Sequence, residues 1–289
     1  LPAGHRKMVA LLAELATRSA KHDFYLGDGK AAKLQDTLRK LPKRALSQRL
    51  TTLIDLGAET LELGQEETAL RHYAAARKIL ANIHKRLAKR DAHALALKLH
   101  FQTAVAYLRL GEKKNCCARN SPESCLLPIR GKGIHTDQTG SREAIKYLSR
   151  IMASDSATVG QRFSAKWLIN LAYMTLGQYP QNVPKKHLIP PSAFKAEKEF
   201  PRFPNVAKQL GVDTFSLAGG AIIDDFDGDH YLDLVVSSWN PTKSMQFYRN
   251  DQRGGFQERS KEAGLTGIAG GINMVQADYD NDGDTDIFV

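Results

Sequence analysis

Residues 225–234 read Asp-Phe-Asp-Gly-Asp-His-Tyr-Leu-Asp-Leu, and residues 278–287 read Asp-Tyr-Asp-Asn-Asp-Gly-Asp-Thr-Asp-Ile. We name these two stretches loop one and loop two. Each has aspartates at relative positions 1, 3, 5 and 9, an aromatic residue at 2 and an aliphatic residue at 10. Carboxylates packed this closely repel one another unless a cation lies among them. The pattern therefore predicts sites for a hard cation with oxygen ligands.

Calcium is the cation that this ligand set favours. Positions 1, 3 and 5 would supply carboxylates, position 7 its backbone carbonyl, and position 9 the closing carboxylate. The predicted ligands in loop one are Asp225, Asp227, Asp229, the carbonyl of Tyr231, and Asp233, and those in loop two are Asp278, Asp280, Asp282, the carbonyl of Asp284, and Asp286. Oxygen ligands disfavour zinc and copper, and Mg²⁺ dehydrates reluctantly. The alternative is a pair of solvated acidic turns without a metal.

The two loops differ at position 6, where a sharp turn favours glycine. Loop two has Gly283 there, whereas loop one has His230. Histidine adopts a positive φ more readily than β-branched residues do, so we expect loop one to form with some strain and to bind calcium more weakly.

The loops belong to a longer repeat. Asp225 and Asp278 lie 53 residues apart, and the same offset relates Phe203, Lys208, Gly211 and Val212 to Phe256, Lys261, Gly264 and Leu265. Short strand-like runs separate the turns, about four in each unit, which indicates blades of a β-propeller. Because a propeller closes with about four to eight blades, we expect the chain to be a fragment of a longer protein.

The first half of the chain reads as helical hairpins. Residues 59–64, 106–111 and 172–177 each end in Leu-Gly followed by Gln or Glu. Such a glycine predicts the end of one helix before a second helix begins. After the first glycine, Ala69, Ala74, Ala75 and Ala76 would permit close helix approach, with Tyr73 filling the adjacent gap.

A cysteine-containing loop over 112–140 interrupts the second hairpin. It contains Cys116, Cys117, Cys125 and His135. In an oxidising compartment Cys125 would pair with Cys116 or Cys117, and the sequence does not choose between them. His135 is expected to be exposed, and it is the candidate for metal or redox chemistry in this loop.

The proline distribution marks a boundary. Six of the 11 prolines fall between Pro180 and Pro204, which predicts a stiff, extended linker packed along a surface through its apolar residues. We therefore expect an α + β multidomain fold: an all-α solenoid over 1–179, a linker over 180–204, and an incomplete β-propeller over 205–289.

Charge divides the chain in the same way. Residues 200–289 carry a net charge of −7 and residues 1–199 a net charge of +17, which together give +10. The basic residues are spread over amphipathic helices, without a basic run or an aromatic platform, so nucleic-acid binding is not expected. A solvated helix surface is favoured, with docking onto an acidic partner as the alternative. No apolar run approaches the roughly 20 residues of a transmembrane helix.

Several stretches carry a family resemblance: Gly219-Gly-Ala-Ile-Ile-Asp-Asp-Phe-Asp-Gly-Asp229, Phe247-Tyr-Arg-Asn250, Ala263-Gly-Leu265, Gly270-Gly-Ile-Asn273 and Asp278-Tyr-Asp-Asn-Asp-Gly-Asp284. They resemble the calcium-binding FG-GAP/VCBS repeats of β-propellers, and more specifically the bacterial proteins with an ASPIC/UnbV domain that are related to cartilage acidic protein. The run Trp167-Leu-Ile-Asn-Leu-Ala-Tyr-Met-Thr-Leu-Gly-Gln-Tyr-Pro180, followed by Leu188-Ile-Pro-Pro191, looks like the tetratricopeptide region that often precedes such propellers.

The resemblance implies an exported protein with calcium in its blades and a binding role. We expect a periplasmic, cell-surface or extracellular scaffold or adhesion protein rather than an enzyme. Its partners would be other proteins or a surface polymer. The alternative is an accessory subunit or enzyme of an exported complex or biosynthetic pathway, with the cysteine loop and His135 as its metal or redox site.

Overall fold

A computed structural model describes residues 2–22, 28–119, 121, 123–124, 126–198, 203–214 and 219–289. The chain divides into two compact units, one comprising Lys30–Arg202 and the other Leu1–Gly29 together with Phe203–Val289. We call them the helical unit and the repeat unit. Each is described by itself.

The helical unit is a succession of helices, each packed against the next from α3 to α7. The helices are α2 (Gly29–Lys40), α3 (Leu46–Glu62), α4 (Glu66–Ile83), α5 (Lys89–Glu112), α6 (Thr139–Met152) and α7 (Val159–Thr175). Short 3₁₀ turns span His84–Arg86, Gly131–Gly133, Lys185–His187 and Pro191–Phe194, and a π-helical turn, Lys113–Cys117, extends α5. The expected helical architecture is present, and α6 is the helix that packs against α5 beyond the cysteine loop.

Two of the three Leu-Gly signals end a helix as predicted. Gly64 and Gly177 have φ of 70° and 67°, and each follows a helix by two residues. In both turns the glycine N–H and the next N–H donate back to carbonyls of the last helical turn, which satisfies groups that the helix end leaves open. The prediction for Gly111 was wrong, because α5 continues through it to Glu112. Gly140 is the residue whose missing Cβ permits close packing here, since an added Cβ on Gly140 would lie 2.9 Å from the Gly111 Cα.

The core between α3 and α4 depends on a tyrosine and a glycine. Tyr73 is fully buried, and a Cβ added to Gly57 would lie 2.3 Å from its ring. The ring therefore fills the space that the glycine leaves, with Ala69 and Ala76 also fully buried on α4. This arrangement agrees with the expectation that small residues permit close helix approach here.

The described part of the proline-rich segment packs on α7. The Asn170 side chain donates to the His187 carbonyl at 2.8 Å and accepts the Ile189 N–H at 3.1 Å. The Phe194 ring contacts the rings of Trp167 and Tyr179. Residues 199–202 of this segment lie outside the described residues.

The repeat unit contains α1 (Ala3–His22), a short helix α8 (Ala207–Leu210) and six strands. The strands are β1 (Ala221–Asp224), β2 (Asp233–Val236), β3 (Gln246–Asn250), β4 (Phe256–Glu258), β5 (Val275–Ala277) and β6 (Asp286–Phe288). The first four form an antiparallel meander in chain order, and β5 pairs with β6. Ile222, Val235, Met245, Phe247 and Met274 form the apolar core.

The 53-residue offset is visible in the backbone. In the first hairpin Asp224 faces Asp233, and in the second Ala277 faces Asp286. The offset also relates the turn at Gly211, where the Val212 N–H donates to Ala207, to the turn at Gly264, where the Leu265 N–H donates to Ser260. Both glycines have φ near 75°, at 77° and 75°. The repeat deduced from the sequence is therefore structural as well.

Among the described helices, none is both long enough and apolar enough to cross a membrane.

Candidate metal centre

Loop one joins β1 to β2, and loop two joins β5 to β6, so each acidic loop lies at the end of a hairpin. The position-1 carboxylate organises each loop. Asp225 accepts the N–H groups of Asp229 at 3.0 Å and His230 at 2.8 Å, and Asp278 accepts those of Asp282 and Gly283, both at 3.1 Å. The two loops thus share one internal hydrogen-bond scheme.

The backbone is left-handed at two positions of each loop. At position 6 His230 has φ of 69° and Gly283 has φ of 93°, which agrees with the predicted strain at the histidine. At position 4 Gly228 has φ of 74° and Asn281 has φ of 59°. Sequence reasoning missed position 4, although glycine and asparagine are the residue types that most readily adopt this conformation.

Each loop brings three of its aspartates together. Carboxylate oxygens of Asp225, Asp227 and Asp229 lie within 4.8 Å of one another in loop one. In loop two the corresponding group within 4.8 Å consists of Asp278, Asp280 and Asp286. Position 5 thus belongs to the cluster in loop one, and position 9 belongs to it in loop two.

The position-7 residues hold the loop through their N–H groups. The Tyr231 N–H donates to Asp229 at 3.0 Å, and the Asp284 N–H donates to Asp282 at 2.9 Å. The first of these bonds is the main reason why the pKa of Asp229 lies below its usual range. The proposed role of the Tyr231 and Asp284 carbonyls as ligands stays a prediction.

Loop one has its own cationic side chain. The Arg249 guanidinium on β3 pairs with Asp227 and lies 2.9 Å from an Asp229 oxygen. Gln252 also donates to that oxygen, at 3.1 Å. Arg249 lies outside the ten-residue aspartate pattern, so the sequence alone did not assign it to the site. Within the part of the chain that the structure describes, no lysine or arginine pairs with loop two.

Asp233, at position 9 of loop one, is fully buried. Its Oδ1 accepts the Asn250 N–H at 2.8 Å, while Oδ2 is buried without a hydrogen-bond partner among the described groups. Burial raises the pKa of this carboxyl, and the charges of Asp227 and Asp229 raise it further. The Phe226 N–H opposes the shift but does not reach Oδ2 with hydrogen-bond geometry.

The unpartnered Oδ2 of Asp233 is available to a proton or to a cation. Burying an ionised carboxylate oxygen without a hydrogen-bond partner costs desolvation free energy. For Asp233 Oδ2 that cost is removed only if a proton or a metal ion binds to it. The candidate ligands of the loop are carboxylate and carbonyl oxygens, the ligand type that calcium takes. Their chemistry is compatible with calcium, whose binding here stays a prediction.

The cysteine loop is arranged differently from the expectation. His135 is 5% exposed, so the prediction that it lies at the surface was wrong. It lies against Gly111, and its Nε2 is 3.4 Å from Cys116 Sγ. The predicted disulfide involves Cys125, which lies outside the described residues, so the pairing stays a prediction.

Comparison with known proteins identifies one relationship. No curated protein and no solved structure matches the chain. Residues 225–289, from the first aspartate of loop one to Val289, match the FG-GAP-like repeat family. FG-GAP repeats are typical of protein-interaction and adhesion modules, and the match covers both acidic loops.

Proposed function

We propose that loops one and two each bind a calcium ion and that calcium orders the repeat unit. The observation that carries this proposal is the buried Asp233, whose Oδ2 lacks a donor while Asp227 and Asp229 lie close enough to raise its pKa. A cation held by the Asp225, Asp227 and Asp229 carboxylates, with Asp233 as a further ligand, would remove both their repulsion and the desolvation cost of Asp233. In loop two the equivalent ion would lie between Asp278, Asp280 and Asp286.

The repeat unit in this proposal is part of a β-propeller. The four-stranded meander has the strand number and order of one blade, and the β5–β6 hairpin repeats its first two strands. The helical unit would be the tetratricopeptide-like solenoid that precedes it in proteins of the ASPIC/UnbV type. Its support is the pair of equivalent helix ends at Gly64 and Gly177 and the tyrosine–glycine contact between α3 and α4.

Export is part of the same proposal, since a calcium site of low affinity would be filled only where calcium is abundant. Extracellular modules bind calcium with Kd of roughly 10⁻⁴–10⁻³ M, a concentration that is available outside cells. We therefore place the protein in the periplasm, at the cell surface or outside the cell, as a scaffold or adhesion protein with protein partners.

An exposed apolar stripe on α7 supports a partner-binding role. Val159, Phe163 and Trp167 are spaced four residues apart on one helix face, and they are 68%, 69% and 41% exposed. Contiguous exposed apolar side chains of this kind mark interaction surfaces more often than isolated ones do. A photo-crosslinking residue at Phe163 should give discrete protein adducts on intact cells, whereas the same residue at Lys43 should not.

Thermal unfolding tests the calcium proposal. The repeat unit should melt at a higher temperature in calcium than in chelator, and Mg²⁺ at the same concentration should give much less stabilisation. At a calcium concentration a hundredfold above Kd, the expected gain in the free energy of unfolding is about 2.7 kcal/mol per site. The same melting temperature in calcium and in chelator would contradict the proposal.

A further inference from the structure

The helices α4 and α5 enclose a cavity in the helical unit, which we name the hairpin cavity. Its volume is about 560 Å³, and its wall includes the 3₁₀ turn His84–Arg86 that joins the two helices, through His84 and Lys85. The buried Leu80 of α4 and the buried Leu99 of α5 supply apolar surface to the wall. The volume lies in the range of roughly 300–1,000 Å³ that is typical of small-molecule sites.

Small side chains keep this cavity open. Residues four apart share a helix face, so Ala81 lies between Arg77 and Lys85 in the wall. Ala92 and Ala96 are the corresponding small residues on α5, one helical turn apart, and both line the cavity. A larger side chain at one of these alanines would occupy the space. The cavity therefore depends on residue size at a few positions.

Positive charge lies at both ends of the hairpin cavity. Because α4 and α5 are joined by a short connection and pack together, they run antiparallel. Lys85 and Lys89 thus lie at the end near the connection, and Arg77 and His100 lie at the other end, roughly 12 Å away along the helix axis. Among the described residues of the wall there is no aspartate or glutamate. The lining is complementary to an anion with an apolar body.

Arg77 is already held in position by other side chains. Its guanidinium donates to the Thr103 hydroxyl at 2.7 Å and lies over the Tyr147 ring, 5.1 Å from the ring centre. Within the described chain no carboxylate forms an ion pair with Arg77. A guanidinium has five N–H donors and can bind a carboxylate through two of them. Arg77 is therefore a preorganised group for carboxylate binding.

His100, at the same end as Arg77, adds surface but no charge. Burial lowers the pKa of His100 to about 4, and the positive charges of Arg150 and Arg77 lower it further within that shift. The ring is therefore neutral at pH 7. Both charges that act on it are positive, so this end of the cavity has a positive potential.

The three histidines of the wall, His84, His93 and His100, do not form a metal site. Throughout the described residues, groups of three metal-ligating side chains within 4.8 Å occur only in loops one and two. His84 Nδ1 lies 2.7 Å from the Ala81 carbonyl, and His93 Nδ1 lies 3.4 Å from Ser156 Oγ. The wall offers positive charge and apolar surface rather than metal coordination.

We propose that the hairpin cavity binds a carboxylate with a single aliphatic chain. The carboxylate pairs with Arg77, and the chain lies along the hairpin over Leu80 and Leu99. Burial of the chain contributes binding free energy in proportion to its apolar area, and the guanidinium fixes its direction. Lys85 and Lys89 attract the anion from solution. Calcium has no part in this site, so the proposal is independent of the acidic loops.

Calorimetric titration of the full chain in calcium-free buffer tests the proposal. The probe is decanoate; decan-1-ol has the same chain without the charge, and acetate has the charge without the chain. Decanoate should bind once per chain with a Kd of roughly 10⁻⁵–10⁻⁴ M. Decan-1-ol should bind at least about tenfold more weakly, because it lacks the charge-assisted hydrogen bonds, and acetate should give no saturable binding.

Two variants with matched controls locate the binding site. Arg77→Gln should weaken decanoate binding by at least about tenfold and leave decan-1-ol binding unchanged, whereas Lys78→Gln, an exposed neighbour outside the wall, should have no effect. Ala81→Leu should weaken both ligands by about tenfold, because the larger side chain fills the cavity. Ala94→Leu, exposed on α5 outside the wall, is its control.

Circular dichroism checks that each variant is folded. Ala81 is exposed and leucine is a good helix former, so Ala81→Leu tests the cavity even if Arg77→Gln does not fold. The comparison of decanoate with decan-1-ol needs no variant.

The proposal is overturned if decanoate does not bind at millimolar concentration, or if it binds no better than decan-1-ol. It is also overturned if folded Arg77→Gln and Lys78→Gln bind decanoate equally. A wild-type dimer that Ala81→Leu dissociates, in protein that binds no decanoate, would assign the cavity to an interface between two copies of the chain. Sedimentation velocity measures the oligomeric state.

Discussion

Loop one and loop two have the same backbone, but their carboxylates lie in different surroundings. Both loops place left-handed residues at positions 4 and 6, and both wrap the position-1 carboxylate with the same two N–H groups. Loop one also meets β3, which supplies Arg249 to its carboxylates and the Asn250 N–H to Asp233. Loop two belongs to a two-stranded sheet, and its clustered aspartates are all exposed.

The comparison shows that the loop sequence determines the loop backbone, whereas the neighbouring strand determines the surroundings of the carboxylates. The aspartate spacing and the turn residues fix the backbone, since two sequences that differ at six of their ten positions give the same hydrogen bonds to the position-1 carboxylate. Strand β3 accounts for the two differences: beside it the position-9 aspartate is buried, and its Arg249 places a positive charge at the carboxylates of loop one. The following predictions use loop two as the matched control for loop one.

The largest effect is expected at position 9. Asp233→Asn keeps an oxygen for the Asn250 N–H but removes the charge, so it should abolish the calcium stabilisation from loop one, about 2.7 kcal/mol at a hundredfold excess over Kd. Asp286→Asn should cost less, because Asp286 is exposed and water can replace the lost ligand. Thermal unfolding in calcium and in chelator measures both. Equal losses in the two variants would show that burial of position 9 is irrelevant.

A second effect concerns pH in calcium-free solution. The folded-state pKa of Asp233 is raised, so ionisation opposes folding, and stability should fall as pH rises above the unfolded-state value of about 3.9. The lowered pKa of Asp229 has the opposite sign, and its contribution is lost as pH falls below that value. The difference in unfolding free energy between wild type and Asp233→Asn should therefore change with a slope of up to about 1.4 kcal/mol per pH unit.

Calcium should reverse this slope, because a bound cation favours the ionised carboxylate. Urea unfolding at several pH values, with calcium or with chelator, gives both slopes. If Asp233→Asn and wild type follow parallel curves in chelator, burial does not raise the pKa of this carboxyl.

A smaller effect is expected from the arginine on β3. Arg249→Gln removes a cation that competes for Asp227 and Asp229, so calcium affinity at loop one should rise by roughly fivefold while loop two is unchanged. Its calcium-free stability should fall by at most about 1 kcal/mol, since the pair is partly exposed. Arg253→Gln, in the turn between β3 and β4, is the control. Calcium titrations of the wild type and both variants measure the affinities. Weaker calcium binding in Arg249→Gln than in the wild type would contradict the prediction and show that Arg249 supports the site.

The smallest effect is expected at position 6. His230→Gly removes the backbone strain of a non-glycine residue at positive φ. Glycine also loses more conformational entropy on folding, so the net stabilisation of the repeat unit should be about 0.5 kcal/mol. Gly283→Ala introduces the same strain into loop two and should destabilise it by about 1 kcal/mol. Chemical denaturation in calcium measures both, and a loss of stability in His230→Gly would show that the imidazole contributes more than its backbone costs.

The sequence predicted the local features of this molecule better than the long-range ones. Spacing and residue type were enough for the strands, for the 53-residue offset and for the helix ends at Gly64 and Gly177, because all of these depend on neighbours in the chain. The prediction for Gly111 was wrong, and this residue contacts Gly140, 29 residues away, which no local pattern indicates.

The same limit applies to the sites. Arg249 and Asn250 reach loop one only through the pairing of β3 with β2. The burial of His135 depends on α5, α6 and α7 meeting at one point. These contacts join residues that are distant in the sequence, so no repeating sequence pattern predicts them.

Calcium stoichiometry tests the central claim most directly. Protein stripped of divalent cations, titrated with Ca²⁺ by isothermal calorimetry and checked by equilibrium dialysis, should bind two ions per chain. Asp233→Asn should reduce this to one, whereas Asp286→Asn should keep two ions with one of them bound more weakly. Wild-type protein that binds no calcium at millimolar concentration, or an Asp233→Asn variant that still binds two ions with unchanged affinity, would contradict the account.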